Sequence, residues 1–65
     1  MDEQQKAAYI MSQSSCAMIE AMGMQAENQM CKLKGESLAY GEKQFNDIIL
    51  RYGIDHNSVV SFFRG

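Results

Sequence analysis

The sequence predicts an all-α protein, and three observations indicate this fold class. The chain of 65 residues has no proline, and residues 7–33 contain a single glycine. Apolar residues in this long stretch recur at helical spacing. Two shorter apolar stretches follow, and glycines separate them from the long stretch and from each other. We therefore expect one domain, residues 1–65, with a long N-terminal helix, about 4–33, and a two-helix hairpin, about 41–52 and 56–64.

The long helix is predicted to have an unusually broad apolar face. At 100° per residue the face sweeps roughly half of the circumference, whereas a surface helix usually has an apolar stripe of about 100°. Its members are Ala7, Met11, Ser15, Met18, Met22, Ala26, Met30 and Leu33, widened by Ile10, Ser14, Ala17, Ala21 and Ile19. The opposite side is predicted to be a solvated ridge of polar residues spaced by sevens, Gln13, Glu20, Glu27 and Lys34. We expect the broad face to pack against two neighbours, the hairpin and a second copy. Whether Gly23 bends this helix stays open.

Oligomerisation is the predicted source of additional stability, because a domain of this length has a marginal core. Cys16 and Cys31 lie about 22 Å apart along the helix, far beyond the Cα separation of roughly 7 Å that a disulfide tolerates. No histidine pair or Cys-x-x-Cys motif is present, so no metal or cofactor is expected. A homo-oligomer, with a dimer favoured, remains. Its predicted interface residues are Met11, Met18, Ala21, Met22 and Met30. The alternative is an adaptable methionine-rich groove for a different partner.

The ends of the helices carry recognisable capping residues. Gly35 suits the left-handed position that closes the first helix. Gly41 is the expected N-cap of the second helix, with Gln44 placed to bond back to it. Gly53 is expected to end that helix, and Asp55 is a good N-cap for the third.

Residues 45–64 resemble a helix-turn-helix. Gly53 occupies the turn, and apolar residues flank it at the expected offsets, Ile48, Tyr52, Ile54, Val59 and Phe62. The sequence departs from the pattern at Ile49, where alanine is usual, and in an acidic chain of net charge −2. The resemblance implies a DNA-binding regulator with contacts from His56, Asn57, Ser61 and Arg64, of which only Arg64 is a cation. Nucleic acid is therefore an open but disfavoured partner.

No catalytic constellation is expected, so the chain is interpreted as a non-enzymatic protein. His56 is the only histidine, and its neighbours Asp55 and Asn57 point in different directions at a helix start. Tyr9 and Glu20 lie near the polar ridge and are candidates for an exposed partner contact.

The whole chain is similar in character to small accessory proteins of phages and prophages, which are compact, helical and without catalytic motifs. The resemblance implies an inhibitor of a host defence or enzyme that acts by stoichiometric binding to a host protein or small ligand. Because the start of the chain is acidic, we do not expect a signal peptide. Because no long apolar run is present, we do not expect a membrane span. We therefore expect a cytoplasmic location, which would be the host cytoplasm for a phage protein.

Overall fold

The computed structural model describes all 65 residues and contains three α-helices: α1 (Glu3–Leu33), α2 (Glu42–Arg51) and α3 (His56–Arg64). The predicted all-α fold and the approximate range of each helix are confirmed. With 31 residues, α1 is about 46 Å long and runs through Gly23 without interruption. The Cα atoms extend over 49 × 17 × 10 Å, so the molecule is a thin rod.

Local sequence explains both ends of α1. The Asp2 carboxylate accepts a hydrogen bond from the Gln5 amide at 2.7 Å, and the Gln5 side chain accepts one from the Asp2 amide at 3.0 Å. This capping box starts the helix at Glu3, one residue before the predicted start. At the other end Gly35 adopts a φ of 74°, which costs glycine little, and the Glu36 amide donates to the Cys31 carbonyl at 2.8 Å.

The predicted caps of α2 are confirmed. The Gln44 side chain accepts a hydrogen bond from the Gly41 amide at 2.9 Å. Gly53 has a φ of 66°, and the Ile54 amide donates to the Ile49 carbonyl at 3.1 Å, as in a Schellman motif.

Asp55 caps α3, as predicted. Its carboxylate accepts a hydrogen bond from the Ser58 amide at 3.3 Å. Hydrogen bonding from Ser58 favours the ionised form and holds the pKa of Asp55 below its usual value.

Residues 40–64, which contain α2 and α3, form what we call the arm. The arm runs antiparallel to α1 and bends at Gly53, so its two helices lie end to end instead of folding back on each other. Four contacts mark its path from the C-terminal to the N-terminal half of α1: Tyr40 with Asn28, Arg51 with Glu20, Tyr52 with Gln13, and Phe62 with Tyr9. Packed helix axes lie 8–10 Å apart, so a further helix stacked on α1 and the arm would make the molecule thicker than 10 Å. The arm and α1 therefore lie side by side.

The core between α1 and the arm is small. Only Ala17, Met24 and Ile48 are buried, and five partly buried apolar residues pack around them, Ala21, Tyr40, Phe45, Tyr52 and Ile54. The arm therefore covers one margin of the broad face predicted for α1 and leaves the centre of that face uncovered. The prediction that the hairpin would lie on the apolar face is correct only for this margin.

Polar side chains of α1 join the arm to it, which corrects part of the predicted ridge. The Asn28 side chain both donates to the Tyr40 carbonyl and accepts from the Tyr40 amide, each at 2.9 Å. Gln13 donates to the Tyr52 carbonyl at 3.4 Å. Gln13 and Glu20 are therefore partly buried contacts of the arm and not members of a fully solvated ridge, because the arm extends past the apolar margin.

Candidate protein-interaction surface

An uncovered apolar surface follows α1 from its first third to its end. Its six large side chains are between 50% and 74% exposed, and we call them together the methionine face: Met11, Met18, Ile19, Met22, Met30 and Leu33. Four of these were predicted as an interface, Met11, Met18, Met22 and Met30. Small exposed residues lie on the same side of α1, Ala7 and Ala8 before Met11, and Ser15 and Ala26 between the large side chains. None of these positions carries a charge.

The methionine face and the arm lie on nearly opposite sides of α1. At 100° per residue, the centre of the methionine face is roughly 160° around the helix from Ala17 and Met24, which contact the arm. A helix buries a stripe of only about 100° against one neighbour. The arm therefore cannot cover the methionine face while it stays in contact with Ala17 and Met24.

The exposed area is large for so small a protein. A fully exposed large apolar side chain presents roughly 60–120 Å² of apolar surface, so six of them at these exposures present about 250–450 Å². The largest apolar patch on a typical monomeric protein measures about 300–600 Å² and is often functional, so this small chain carries a patch of the size found on larger proteins. Single exposed apolar residues need no explanation, but a row of six along one helix does.

Ala21 does not belong to this surface, contrary to the sequence prediction. It is partly buried and packs against the core beside Ile48. The error arose because α1 has two apolar sides, which the sequence analysis treated as one broad face. Ala21 lies at the border between these two sides.

Tyr9 and Glu20, the two predicted contacts near the ridge, are both engaged by the arm. The Tyr9 ring packs against Phe62 with centroids 5.4 Å apart, although 46% of the residue stays exposed. Glu20 forms a bidentate ion pair with Arg51 at 2.6 and 3.3 Å. The hydrogen bonds and negative charge of Glu20 raise the pKa of Arg51.

The predicted DNA contacts are exposed but are not presented by a helix-turn-helix. His56, Asn57, Ser61 and Arg64 all lie on the exposed surface of α3. Because α3 continues the direction of α2 past the bend at Gly53, the two helices lack the crossing that holds a recognition helix in the major groove. The structure thus brings these four residues to one surface without the scaffold that the resemblance implies.

A second feature, a groove between the first half of α1 and the arm, was missed by the sequence prediction. It has a volume of about 590 Å³, and Tyr9, Ile10, Gln13, Tyr52 and Phe62 contribute to its lining. It is open to solvent along its length. Tyr9 near one end of the chain and Phe62 near the other were the only sequence signal for it.

Other chemistry-bearing residues are dispersed. No group of three His, Cys, Asp or Glu side chains is placed to hold a metal ion. Both cysteines are free, with Cys16 exposed and Cys31 partly buried. None of the three helices combines the length and the hydrophobicity that a membrane span requires. Comparisons with protein-family models, with curated proteins and with solved structures found no match to this chain.

Proposed function

We propose that this chain is a non-enzymatic binding protein that recognises an α-helix of a protein partner through its methionine face. The observation that carries the proposal is the row of six exposed large apolar side chains on the side of α1 that the arm leaves free. A partner helix laid along α1 would bury these side chains at successive turns, as when two amphipathic helices pack side by side.

The composition of the face favours a protein as the partner over nucleic acid or a small ligand. The face is elongated, uncharged and without a concavity, whereas nucleic acid needs a basic footprint and small ligands need a concave site. Methionine side chains are flexible and polarisable, so they adapt to an irregular apolar surface.

Such a protein would act by occupying its partner, one copy for one copy. This mode of action agrees with the similarity to phage accessory proteins, and we propose a host protein as the target and stoichiometric inhibition as the effect. The two free cysteines fit a reducing compartment, so we place the interaction in the cytoplasm.

Photo-crosslinking tests this proposal directly, because methionine already occupies the relevant positions. Photo-methionine replaces methionine during expression and forms covalent bonds to neighbouring atoms on irradiation. The chain has six methionines, and four of them lie on the methionine face. In cells of the natural host, we expect protein adducts at Met11, Met18, Met22 and Met30, and none at the buried Met24.

The control is a pair of variants with the same added charge. Met18→Glu places a carboxylate on the methionine face, and Asn46→Glu places one on the exposed surface of α2. Met18→Glu should abolish the adducts at the neighbouring methionines, and Asn46→Glu should leave them intact. Absence of adducts on the methionine face of the wild-type protein, or adducts that survive Met18→Glu, would refute the proposal.

A further inference from the structure

We infer that the helix seated on the methionine face is α1 of a second copy, packed antiparallel through the same face. This inference rests on the proposed function because it concerns the same surface: in the absence of the host protein, the second copy covers the methionine face, and the host protein takes its place on binding. It follows from the spacing of the apolar residues, from the distribution of side-chain size, from the charges at the two ends of α1 and from the size of the core.

The apolar positions repeat every 11 residues. Met11, Met22 and Leu33 form one such row, and Ala8, Ile19 and Met30 form a second. An 11-residue repeat corresponds to 3.67 residues per turn, so the face drifts by only about 20° per repeat and runs nearly straight along α1. Its complement is a straight helix of similar length with a matching straight face. Within this molecule, only α1 has that length, about 46 Å.

Side-chain size varies along the face in a way that favours the antiparallel orientation. The first half contains mostly small residues, and the second half contains most of the bulky ones. With the two-fold axis between Met18 and Ile19, an antiparallel pair places three of the bulky residues opposite small ones: Met11 opposite Ala26, Met22 opposite Ser15, and Met30 opposite Ala7. A parallel pair would place Met22 and Met30 against themselves and leave gaps at Ala7 and Ser15, which close packing disfavours.

The charges at the ends of α1 favour the same orientation. The helix starts with Asp2 and Glu3 and ends with Lys32 and Lys34, and all four side chains are exposed. Antiparallel packing brings the acidic start of each copy beside the basic end of the other. Parallel packing would bring like charges together at both ends, and it would also align the two helix dipoles unfavourably.

The small core indicates why a second copy is needed. Only three residues of 65 are buried, which is a small core even for a domain of this length. Pairing two methionine faces would bury the row of large apolar residues on both copies, together with the small residues between them. The large side chains alone supply about 250–450 Å² per copy, a substantial part of the roughly 800 Å² per partner in a specific interface.

Disulfide trapping tests both the occupant and its orientation. In a background with Cys16→Ser and Cys31→Ser, one variant carries Met11→Cys and another carries Ala26→Cys. In the antiparallel dimer, each introduced cysteine lies about 22 Å from its own counterpart, beyond the reach of a disulfide, but close to the cysteine of the other variant. Under a glutathione redox buffer, we expect a mixed disulfide only when the two variants are combined.

The native mass of the wild-type protein provides an independent measurement if the cysteine-free background fails to fold. Light scattering over a dilution series should give twice the chain mass of 7.3 kDa. A disulfide formed within either variant alone, and not between them, would overturn the antiparallel orientation.

A single-chain mass at every concentration would overturn the second copy as the occupant. The proposed function is tested by a different measurement, because photo-methionine adducts to another protein would still form on the same face if that function is correct. Absence of both self-association and adducts would overturn the inference and the function together.

Discussion

Replacing Met18 with glutamate places a carboxylate at the centre of the methionine face. Met18 is 65% exposed in the single chain, and full burial of a methionine contributes about 1.5–3 kcal/mol. Covering the exposed part therefore contributes about 1–2 kcal/mol per copy, or about 2–4 kcal/mol per dimer. Loss of this contribution should raise the dissociation constant of the dimer by roughly 30- to 700-fold. Burial of two facing carboxylates adds to this penalty, so the estimate is a lower bound.

Urea unfolding at two protein concentrations measures this effect. For a dimer that unfolds to two chains, a 100-fold increase in concentration adds about 2.7 kcal/mol per dimer to the apparent free energy of unfolding. At a denaturant slope of about 2 kcal/mol/M, this moves the midpoint by about 1.4 M urea. We expect this shift for the wild-type protein and its loss in Met18→Glu. Methionine and glutamate have similar helix propensities, so α1 itself should be unaffected.

The matched variant Asn46→Glu should keep the concentration dependence, because Asn46 lies on the exposed surface of α2. A wild-type midpoint that is the same at both concentrations would contradict self-association. A concentration dependence that Met18→Glu leaves unchanged would show that the chains associate through a different surface.

Three further predictions concern the single chain. Ile48→Ala should reduce the free energy of unfolding by about 2–5 kcal/mol, because Ile48 is the most buried residue, whereas Ile49→Ala, at a half-exposed position, should cost clearly less; equal losses in urea unfolding would contradict the assigned core. Gly23→Ala should stabilise α1 by about 0.5–1 kcal/mol, since no atom lies within 4 Å of the added methyl group, and a lower thermal midpoint would refute this. Hydrogen bonding from Ser58 lowers the pKa of Asp55. The contribution of Asp55 to the free energy of unfolding should therefore be present above the unfolded-state pKa near 3.9 and be lost as pH falls through the lower folded-state pKa. Asp55→Asn should weaken this acid dependence in unfolding measured between pH 2 and 6.

Interactions within a few residues were predictable from the sequence. The glycines that end α1 and α2 adopt the left-handed conformation expected of them, and Asp55 caps α3. Each of these features depends on a residue and its neighbours up to five positions away. The capping box of Asp2 and Gln5 followed the same rule and could have been found from its spacing.

The side of α1 that the arm covers was not predictable by the same means. Periodicity identifies apolar positions, and α1 has apolar positions on two sides. The arm lies on the side where Asn28, Gln13 and Glu20 reach Tyr40, Tyr52 and Arg51. These partners are 12 to 39 residues apart, so no local pattern reports them. Treating Gln13 and Glu20 as members of a solvated ridge followed from their polarity and from their spacing by sevens opposite the apolar face.

The two sides of α1 differ in how strictly they define a register. On the arm side, Asn28 forms two hydrogen bonds with the backbone of Tyr40, and a shift of one helical turn would leave both groups unpaired at a partly buried position. Polar contacts of this kind fix one arrangement. The methionine face has no charged or amide side chain to serve that purpose, and methionine adapts to several neighbouring registers. The size gradient and the end charges of α1 are therefore the features left to define how a second helix lies on that face, and both favour the antiparallel orientation.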